Sequence, residues 1–418
     1  MAVRGLACAI AAALALSACG STTDSLGYDD TESKTLHAVT GPASYPNPFR
    51  DLLGQADADI STKITNAFNT VFHGSTTGSM AYAIYFPVQN DPDQAYIEDV
   101  LHNDIRTEGL GLGMMVCVEL NKQYEFDHLW SYAKQVVETK SGANAGYFPS
   151  FCDGADGNQF PCLDPYGFEQ FVTALIFAND RWGSTAGTID YAADALALFH
   201  TLRHKEDDNG GIVDGVTNMF DTIAELPLDV PNVSAAGVTR PSLVMPGYYD
   251  LWAQADADAT WTTAATNGRA FWQAAANSTT GLTPVRSGFD GTPVAGAATF
   301  QPEGYRTQIN VVIDQLWTGG SAWDVTESNR LLAFFSSQGI NSYGTSYSLD
   351  GTMDLNSVHE PSLVVANGIT GLASTNTDRS SYVDAIWNME PPSGNGRYYS
   401  GILYMISVLI LGGQFQVY

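Results

Sequence analysis

The sequence predicts an all-α protein, an (α/α)6 barrel made of six helical hairpins. Apolar residues recur with helical 3.6-residue spacing along most of the 418 residues, and little of the chain shows the alternation of a strand. Twelve helical segments make six pairs. Segments that are apolar on nearly every side alternate with segments that carry one polar face, which indicates an inner ring of buried helices wrapped by an outer ring.

The predicted helices are taken in chain order. They cover residues 59–72, 107–120, 124–138, 166–181, 189–204, 241–254, 258–276, 302–317, 325–337, 360–373, 379–389 and 398–411. The inner type is clearest in 107–120, 166–181, 302–317, 360–373 and 398–411, and the outer type in 124–138, 189–204, 258–276, 325–337 and 379–389. The apolar run that closes the chain is too short to span a bilayer and fits the last inner helix.

The first residues resemble a bacterial lipoprotein signal. Residues 1–18 form a short apolar stretch with one early charge, followed by Cys19 in a lipobox-like Leu-Ser-Ala-Cys sequence. We expect residues 1–18 to be removed, Cys19 to be lipidated, and residues 19–48 to form a flexible tether. Gly20 after the cysteine resembles the pattern of lipoproteins sorted to the outer membrane. Residues 49–418 contain no obvious linker and are predicted to form one domain.

The composition and net charge limit the kinds of partner that the protein can bind. Asp and Glu number 45 against 18 Lys and Arg, a net charge of −27, which repels nucleic acid and anionic lipid surfaces. Because charged residues make up only 15% and hydrophobic residues 44%, the chain is globular with a large core rather than disordered. We expect a monomer that meets the membrane only through its lipid anchor.

The cysteines suggest an oxidising compartment. Cys152 and Cys162 bracket a polar loop and could form a disulfide after export, whereas Cys117 lies in an apolar run and reads as a buried thiol. Neither loop cysteine has a second Cys or His at ligand spacing, so we expect no metal. The sequence also lacks a P-loop and a dinucleotide fingerprint, and we expect no cofactor.

In such a barrel the loops that lead into the inner helices converge at one end and should line a cleft. Acids, aromatic residues and an arginine occur in these loops, as a carbohydrate cleft requires, because aromatic faces stack on sugar rings and carboxyl groups perform acid and base steps. These residues are Asp104, Glu108, Asp164, Tyr166, Glu303, Tyr305, Arg306, His359 and Glu360.

Glu108 stands out because it occupies the first turn of an otherwise apolar, glycine-rich helix. Burial there would raise the pKa of its carboxyl group and suit it to act as a general acid. From the pattern alone, its position is more typical of an acid that simply favours the helix N-terminus.

Other candidates also have structural interpretations. Arg306 could pair with Asp104 or Asp314 in a framework ion pair. Tyr305 could belong to the core, and His359 could pack within its loop.

Five separated segments resemble glycoside hydrolase family 8, and most of all its reducing-end xylose-releasing exo-oligoxylanases. They read NDIRTEGLGLGMMVCVELNKQYEFDHLWSYAK from residue 103, ALIFANDRWG at 174–183, PGYYDLWA at 246–253, YRTQINVVID at 305–314, and the C-terminal SGNGRYYSGILYMISVLILGGQFQVY. The resemblance implies an (α/α)6 fold, β-1,4-linked glycan substrates such as xylo-oligosaccharides, hydrolysis with inversion, and no metal. It places the general acid at Glu108 and the general base at Glu303, where the family usually has aspartate.

The resemblance also implies supporting roles and shows departures from the family pattern. Asp164, Tyr166, Tyr305, Arg306 and His359 would bind sugar. Tyr166 stands where the family has a third acid, and the Pro-Ser-Leu-Val run at 241–244 lacks the tyrosine that helps to hold the attacking water. These departures leave open a second hypothesis: a degenerate member that binds oligosaccharide at the cell envelope without cleaving it.

Overall fold

The computed structural model describes residues 34–78, 80–153, 159–184 and 189–418. The signal segment, Cys19 and most of the predicted tether therefore lie outside the described residues. Within them the chain forms helices arranged in two concentric rings, with short strands in the connections. The predicted all-α barrel is confirmed.

Six inner helices form a closed ring, because each contacts the next and the last contacts the first. They are α3 (Thr107–Glu119), α5 (Pro165–Trp182), α7 (Pro246–Ala255), α9 (Pro302–Thr318), α11 (Pro361–Ala373) and α13 (Arg397–Leu411). Every residue of α3 is buried, as expected of a helix that is apolar on nearly all sides.

Outer helices pack against the inner ring. They are α2 (Asp57–His73), α4 (Gln123–Tyr132), α6 (Tyr191–Asn209), α8 (Ala259–Ala275), α10 (Ala322–Gln338) and α12 (Arg379–Trp387), with a short α1 (Pro48–Asp51) before them. The helix predicted at 241–254 begins later than expected, at Pro246. A proline disfavours helical backbone in the residue before it, and Val244 and Met245 are extended or irregular.

Eleven short strands in the described residues pair in antiparallel fashion within the connections. They are β1 (Tyr85–Pro87), β2 (Ala95–Ile97), β3 (Ser150–Asp153), β4 (Gln159–Cys162), β5 (Phe220–Asp221), β6 (Leu226–Pro227), β7 (Val238–Thr239), β8 (Ser287–Gly288), β9 (Thr299–Phe300), β10 (Ser346–Ser348) and β11 (Asp354–Asn356).

Glycines allow α3 and α5 to lie unusually close together. A Cβ atom on Gly167 would stand 2.4 Å from the carbonyl carbon of Thr107, and one on Gly111 would stand 2.5 Å from the Cβ of Gln170. Only a residue without a side chain fits either position. The first turns of these two inner helices are therefore held in direct backbone contact.

The two ends of the described domain cross the C-terminal ends of the inner helices, which we call the floor of the barrel. Leu36 and Val39 are buried there, and the Val39 N–H donates to Asp180 at the end of α5. The Val417 N–H donates to the Tyr45 hydroxyl. Residues 36–48, which were predicted to belong to the tether, thus contact the domain through Leu36, Val39 and Tyr45, which pack against its core.

Among the described helices, none is both long and apolar enough to cross a membrane.

Candidate active site

A cavity of about 800 Å³ opens at the N-terminal ends of the inner helices. All six inner helices, or the residues just before them, contribute to its wall, as the predicted convergence of these loops requires. The contributing residues are Glu108 at α3, Asp164 before α5, Arg240 before α7, Glu303 and Arg306 on α9, Glu360 and Ser362 at α11, and Tyr398 and Tyr399 on α13.

Glu108 lies in the cavity wall with a side chain that is only 8% exposed. Its Oε1 accepts a hydrogen bond from Nη1 of Arg306 at 2.7 Å, and its Oε2 lies 3.4 Å from the Tyr398 hydroxyl. Burial raises the pKa of the Glu108 carboxyl, the nearby charge of Arg306 opposes that rise, and the carboxylates of Asp164 and Glu303 add to it. The N-cap residue Arg106 makes no capping hydrogen bond with its side chain, and the Thr107 N–H donates instead to the Ser150 hydroxyl at 3.1 Å. The carboxyl thus faces the cavity rather than serving as a cap.

Glu303 lies in the first turn of α9 and is more accessible, with 32% of its side chain exposed. Its Oε2 forms an ion pair with Nη2 of Arg306 and lies 3.8 Å from Nη1 of Arg240. Two guanidinium groups and the N-terminus of a helix all stabilise the charged form of a carboxylate. Glu303 therefore has the surroundings of a base that is reached by water.

Arg306 bridges the two glutamates with its two terminal nitrogens. Both carboxyl groups therefore contact the same guanidinium group and lie on the wall of the same cavity. Neither framework alternative for Arg306 is observed. Asp104 pairs with Arg106 at 3.1 Å, and Asp314 pairs with Arg269 at 2.8 Å.

Asp164 and Tyr166 sit side by side at the start of α5 but differ in exposure to the cavity. Asp164 lines the cavity, and its side chain caps the helix by accepting from the Tyr166 N–H at 3.3 Å. Tyr166 is buried and is not among the cavity-lining residues. Its ring lies under Arg306, 4.6 Å from the guanidinium carbon. The expectation that Tyr166 contacts sugar is therefore not met.

Two further predicted sugar-binding residues lie away from the cavity wall. Tyr305 is fully buried and donates a hydrogen bond to the Thr345 carbonyl at 2.8 Å, so it is a core residue. The ring of His359 packs on Tyr343 at 4.4 Å, and its Nδ1 lies 2.8 Å from the Tyr343 carbonyl oxygen. Neither residue is among those that line the cavity, and their predicted role in binding sugar stays a prediction.

Sequence reasoning missed several charged and aromatic residues of the wall. Asp229 accepts from Nε of Arg240 and from Nη1 of Arg286, the latter at 3.3 Å, which fixes Arg240 beside Glu303. Tyr398 contacts Glu108 as described, and the Tyr399 hydroxyl donates to the Pro302 carbonyl at 3.3 Å. Arg240 and the two tyrosines precede or begin inner helices. The expectation that the loops leading into inner helices line the cleft could therefore have identified them. Asp229 and Arg286 lie on connections that do not lead directly into an inner helix, so the same expectation could not identify them.

The pair Cys152 and Cys162 forms a disulfide across the β3 and β4 strands, with Cα atoms 5.8 Å apart, and Cys152 lines the cavity. Cys117 is buried with a free thiol.

One group in the described part of the chain has the composition of a cation site, with ligand atoms of Asp99, His102 and Asp104 within 4.8 Å of one another. The Arg106 guanidinium occupies the same place. It lies 3.1 Å from Asp99 and 3.1 Å from Asp104, so a fixed positive charge already balances these carboxylates. The residues do not fit a metal.

A toroid of helices whose cavity holds one buried carboxyl group and one water-accessible carboxylate has the fold and the site of a glycosidase. The model of the family "Glycosyl hydrolases family 8" matches residues 88–413.

Relatives extend over most of the chain. Reducing-end xylose-releasing exo-oligoxylanase Rex8A of Paenibacillus barcinonensis is 31% identical over 386 residues, covering 90% of this chain and 97% of its own. The exo-oligoxylanase of Halalkalibacterium halodurans is 30% identical over 395 residues, covering 92% and 97%. A solved structure of a Rex8A mutant complexed with an arabinofuranosyl-xylotetraose matches with a TM-score of 0.81, covering 90% and 97% of the two chains.

The chain belongs to glycoside hydrolase family 8, and the protein is a glycosidase of that family.

Proposed function

We propose that the protein hydrolyses β-1,4-linked xylo-oligosaccharides with inversion at the anomeric carbon, using Glu108 as general acid and Glu303 as general base. The observation that carries the proposal is the bridge of Arg306 between a buried and an exposed carboxyl group across one cavity. The exo-oligoxylanase names of the relatives support xylo-oligosaccharides as the substrate class.

The surroundings of the two carboxyl groups suit opposite protonation states. Glu108, with a raised pKa, gives its proton to the glycosidic oxygen as the bond to the leaving sugar breaks. Glu303 takes a proton from the water that attacks the opposite face of the anomeric carbon. Each turnover leaves Glu108 charged and Glu303 protonated, and exchange with water restores the starting states. Arg306 stays in contact with whichever carboxylate is charged.

The binding-only alternative is not favoured. It rested on Leu243 and Tyr166 standing where the family has a water-holding tyrosine and a third acid. Both side chains are buried and neither is among the residues that line the cavity, so they do not plug the space between the two glutamates.

Incubation with xylotriose, cello-oligosaccharides and chitosan oligomers tests the substrate, and proton NMR of the newly formed anomer tests the stereochemistry. We expect xylotriose to be cleaved fastest and the α-anomer to appear first. A first product in the β configuration, or binding of xylotriose without cleavage, would contradict the proposal. A Glu108→Gln variant in parallel shows whether any activity belongs to this site.

We further propose that the protein is exported and lipid-anchored through Cys19. The lipobox-like sequence supports this, and the disulfide between Cys152 and Cys162 suits an oxidising compartment. Detergent phase partition of the full chain expressed in a bacterium, compared with Cys19→Ala, is the test. We expect only the wild type to partition with the detergent, and equal partition of both would contradict lipidation.

A further inference from the structure

The arginine that joins the two catalytic carboxyl groups rests on an aromatic ring. The Arg306 guanidinium carbon lies 4.6 Å from the centre of the Tyr166 ring, and both side chains are buried in the wall behind the cavity. A guanidinium group over a tyrosine face is attracted by the ring quadrupole, and more strongly where water is excluded.

Hydrogen bonds fix only one edge of this guanidinium group. Nη1 donates to Glu108 and Nη2 to Glu303, whereas Nε is buried and has no hydrogen-bond partner in the described part of the chain. A planar group held along a single edge can tilt about that edge. The face of the Tyr166 ring opposes the tilt.

The ring itself is held by the contact between α3 and α5. The Tyr166 N–H donates to Asp164, and Gly167 packs directly on the backbone of Thr107 and Glu108, where a Cβ would stand 2.4 Å and 2.6 Å from the nearest atoms. The ring that supports Arg306 and the acid that Arg306 contacts are therefore positioned by the same close packing.

We propose that Tyr166 is a positioning residue whose ring face holds the Arg306 guanidinium in the plane from which it reaches Glu108 and Glu303 at the same time. The inference rests on the proposed function and deepens it. An acid at this position, as the sequence resemblance leads one to expect, would compete for the charge of Arg306. A neutral ring leaves that charge to the two catalytic carboxyl groups.

The proposal predicts how a change at Tyr166 is felt at Glu108. The charged and titratable groups that face Glu108 are Arg306 and Glu303 on α9, Arg106 before α3, Asp164 and Tyr166 at the start of α5, and Tyr398 and Tyr399 on α13. The Tyr166 ring lies against Arg306, whose charge lowers the pKa of Glu108 while burial raises it. Loss of the ring face should weaken that opposing effect, and the pKa of Glu108 should rise.

The test compares Tyr166→Leu and Tyr166→Met, which remove the ring, with Tyr166→Phe, which keeps the face. Carbon-13 NMR of glutamate labelled at the carboxyl carbon, assigned with Glu108→Gln, measures the pKa of Glu108 directly. The dependence of kcat/KM for xylotriose on pH measures the same group in turnover. In the variants without a ring, we expect the Glu108 pKa to rise by roughly one unit. The alkaline limb of the pH dependence of kcat/KM should move to higher pH by the same amount. Tyr166→Phe should restore both to the wild-type values.

Tyr147→Leu is the control for loss of a buried aromatic ring. Its ring is equally buried and packs on Phe168 rather than on Arg306, and its hydroxyl donates to the Thr217 carbonyl at 2.7 Å. We expect this variant to lower the unfolding temperature without moving the Glu108 titration. Folded ring-less variants with an unchanged Glu108 pKa would overturn the proposal, as would a Tyr166→Phe variant that shifts as far as they do. The NMR titration needs no turnover, so it decides the proposal even if xylotriose is not cleaved.

Discussion

Replacing each glutamate in turn should separate the acid from the base. Glu108→Gln keeps the shape of the side chain and an oxygen that can accept from Arg306, but it has no proton of suitable acidity to give. General acid catalysis contributes roughly 10²–10⁴ in rate. Glu303 is assigned to the attacking water, so it does not replace Glu108 as the acid. We therefore expect a loss of about 10³–10⁴ in kcat/KM on xylotriose, or ~4–5.5 kcal/mol in the barrier.

The choice of leaving group makes the two roles distinguishable. β-Xylobiosyl fluoride needs little help from an acid, so Glu108→Gln should lose less than about tenfold on it. Glu303→Gln should lose on the order of 10³ or more on both substrates, since water must be activated in either case. A fluoride electrode measures initial rates on the fluoride, and a reducing-sugar assay measures them on xylotriose. Together they give the ratio of wild-type to variant activity for each variant on each substrate.

Glu119→Gln is the matched control. Glu119 lies at the other end of α3, is buried to a similar degree, and accepts from the Gln416 N–H at 3.0 Å on the floor of the barrel. Its substitution should leave kcat/KM unchanged on both substrates. Equal losses by Glu108→Gln on xylotriose and on the fluoride, or a loss no larger than that of Glu119→Gln, would refute the assignment of Glu108 as the acid.

Four further outcomes are expected. Because burial raises the pKa of Glu108, kcat should persist above the ordinary glutamic acid range of about 4.3 and fall as Glu108 deprotonates. The same raised pKa means that Glu108 contributes stability below its unfolded pKa and loses it as pH rises through the folded value. In denaturant unfolding, the free energy of unfolding of Glu108→Gln should therefore increase relative to that of the wild type as pH rises. Gly167→Ala should lower the free energy of unfolding by ~1–3 kcal/mol through overpacking. Gly401→Ala, whose Cβ would lie 3.8 Å from Cγ1 of Val71, should be neutral or stabilise by up to ~1 kcal/mol. Removing the disulfide by Cys152→Ser and Cys162→Ser should cost ~2–3 kcal/mol in the same assay.

Each of these outcomes can fail. An alkaline limb at the ordinary glutamic acid value would contradict a buried Glu108. Equal stabilities of the two alanine variants would contradict the close helix contact at Gly167. A wild-type protein whose unfolding temperature is insensitive to reductant would argue against a contribution of the disulfide.

The fold could be predicted because helical periodicity is a local signal. All twelve predicted helices are present. The inner helices could be recognised because apolar residues on every side of a helix indicate that it is buried. The exception at 241–254 shows the limit of periodicity. The apolar pattern continues across Val244 and Met245, which are not helical, and Pro246 disfavours helical backbone in the residue before it.

The site was less predictable because it depends on direction as well as position. The rule that inner-helix starts line the cleft correctly singled out Glu108, Asp164, Glu303 and Arg306 as cavity residues. It could not tell that Tyr305, one residue before Arg306, turns into the core. Consecutive helical residues differ by about 100° around the axis, and a sequence does not state which direction is the cavity.

The floor of the barrel has a practical consequence. Residues 36–48 and the last residues of the chain both cross the C-terminal ends of the inner helices, while the cavity opens at their N-terminal ends. Whatever is joined to the domain at either end, whether a lipid anchor, an affinity tag or a solid support, is attached on the side away from the opening.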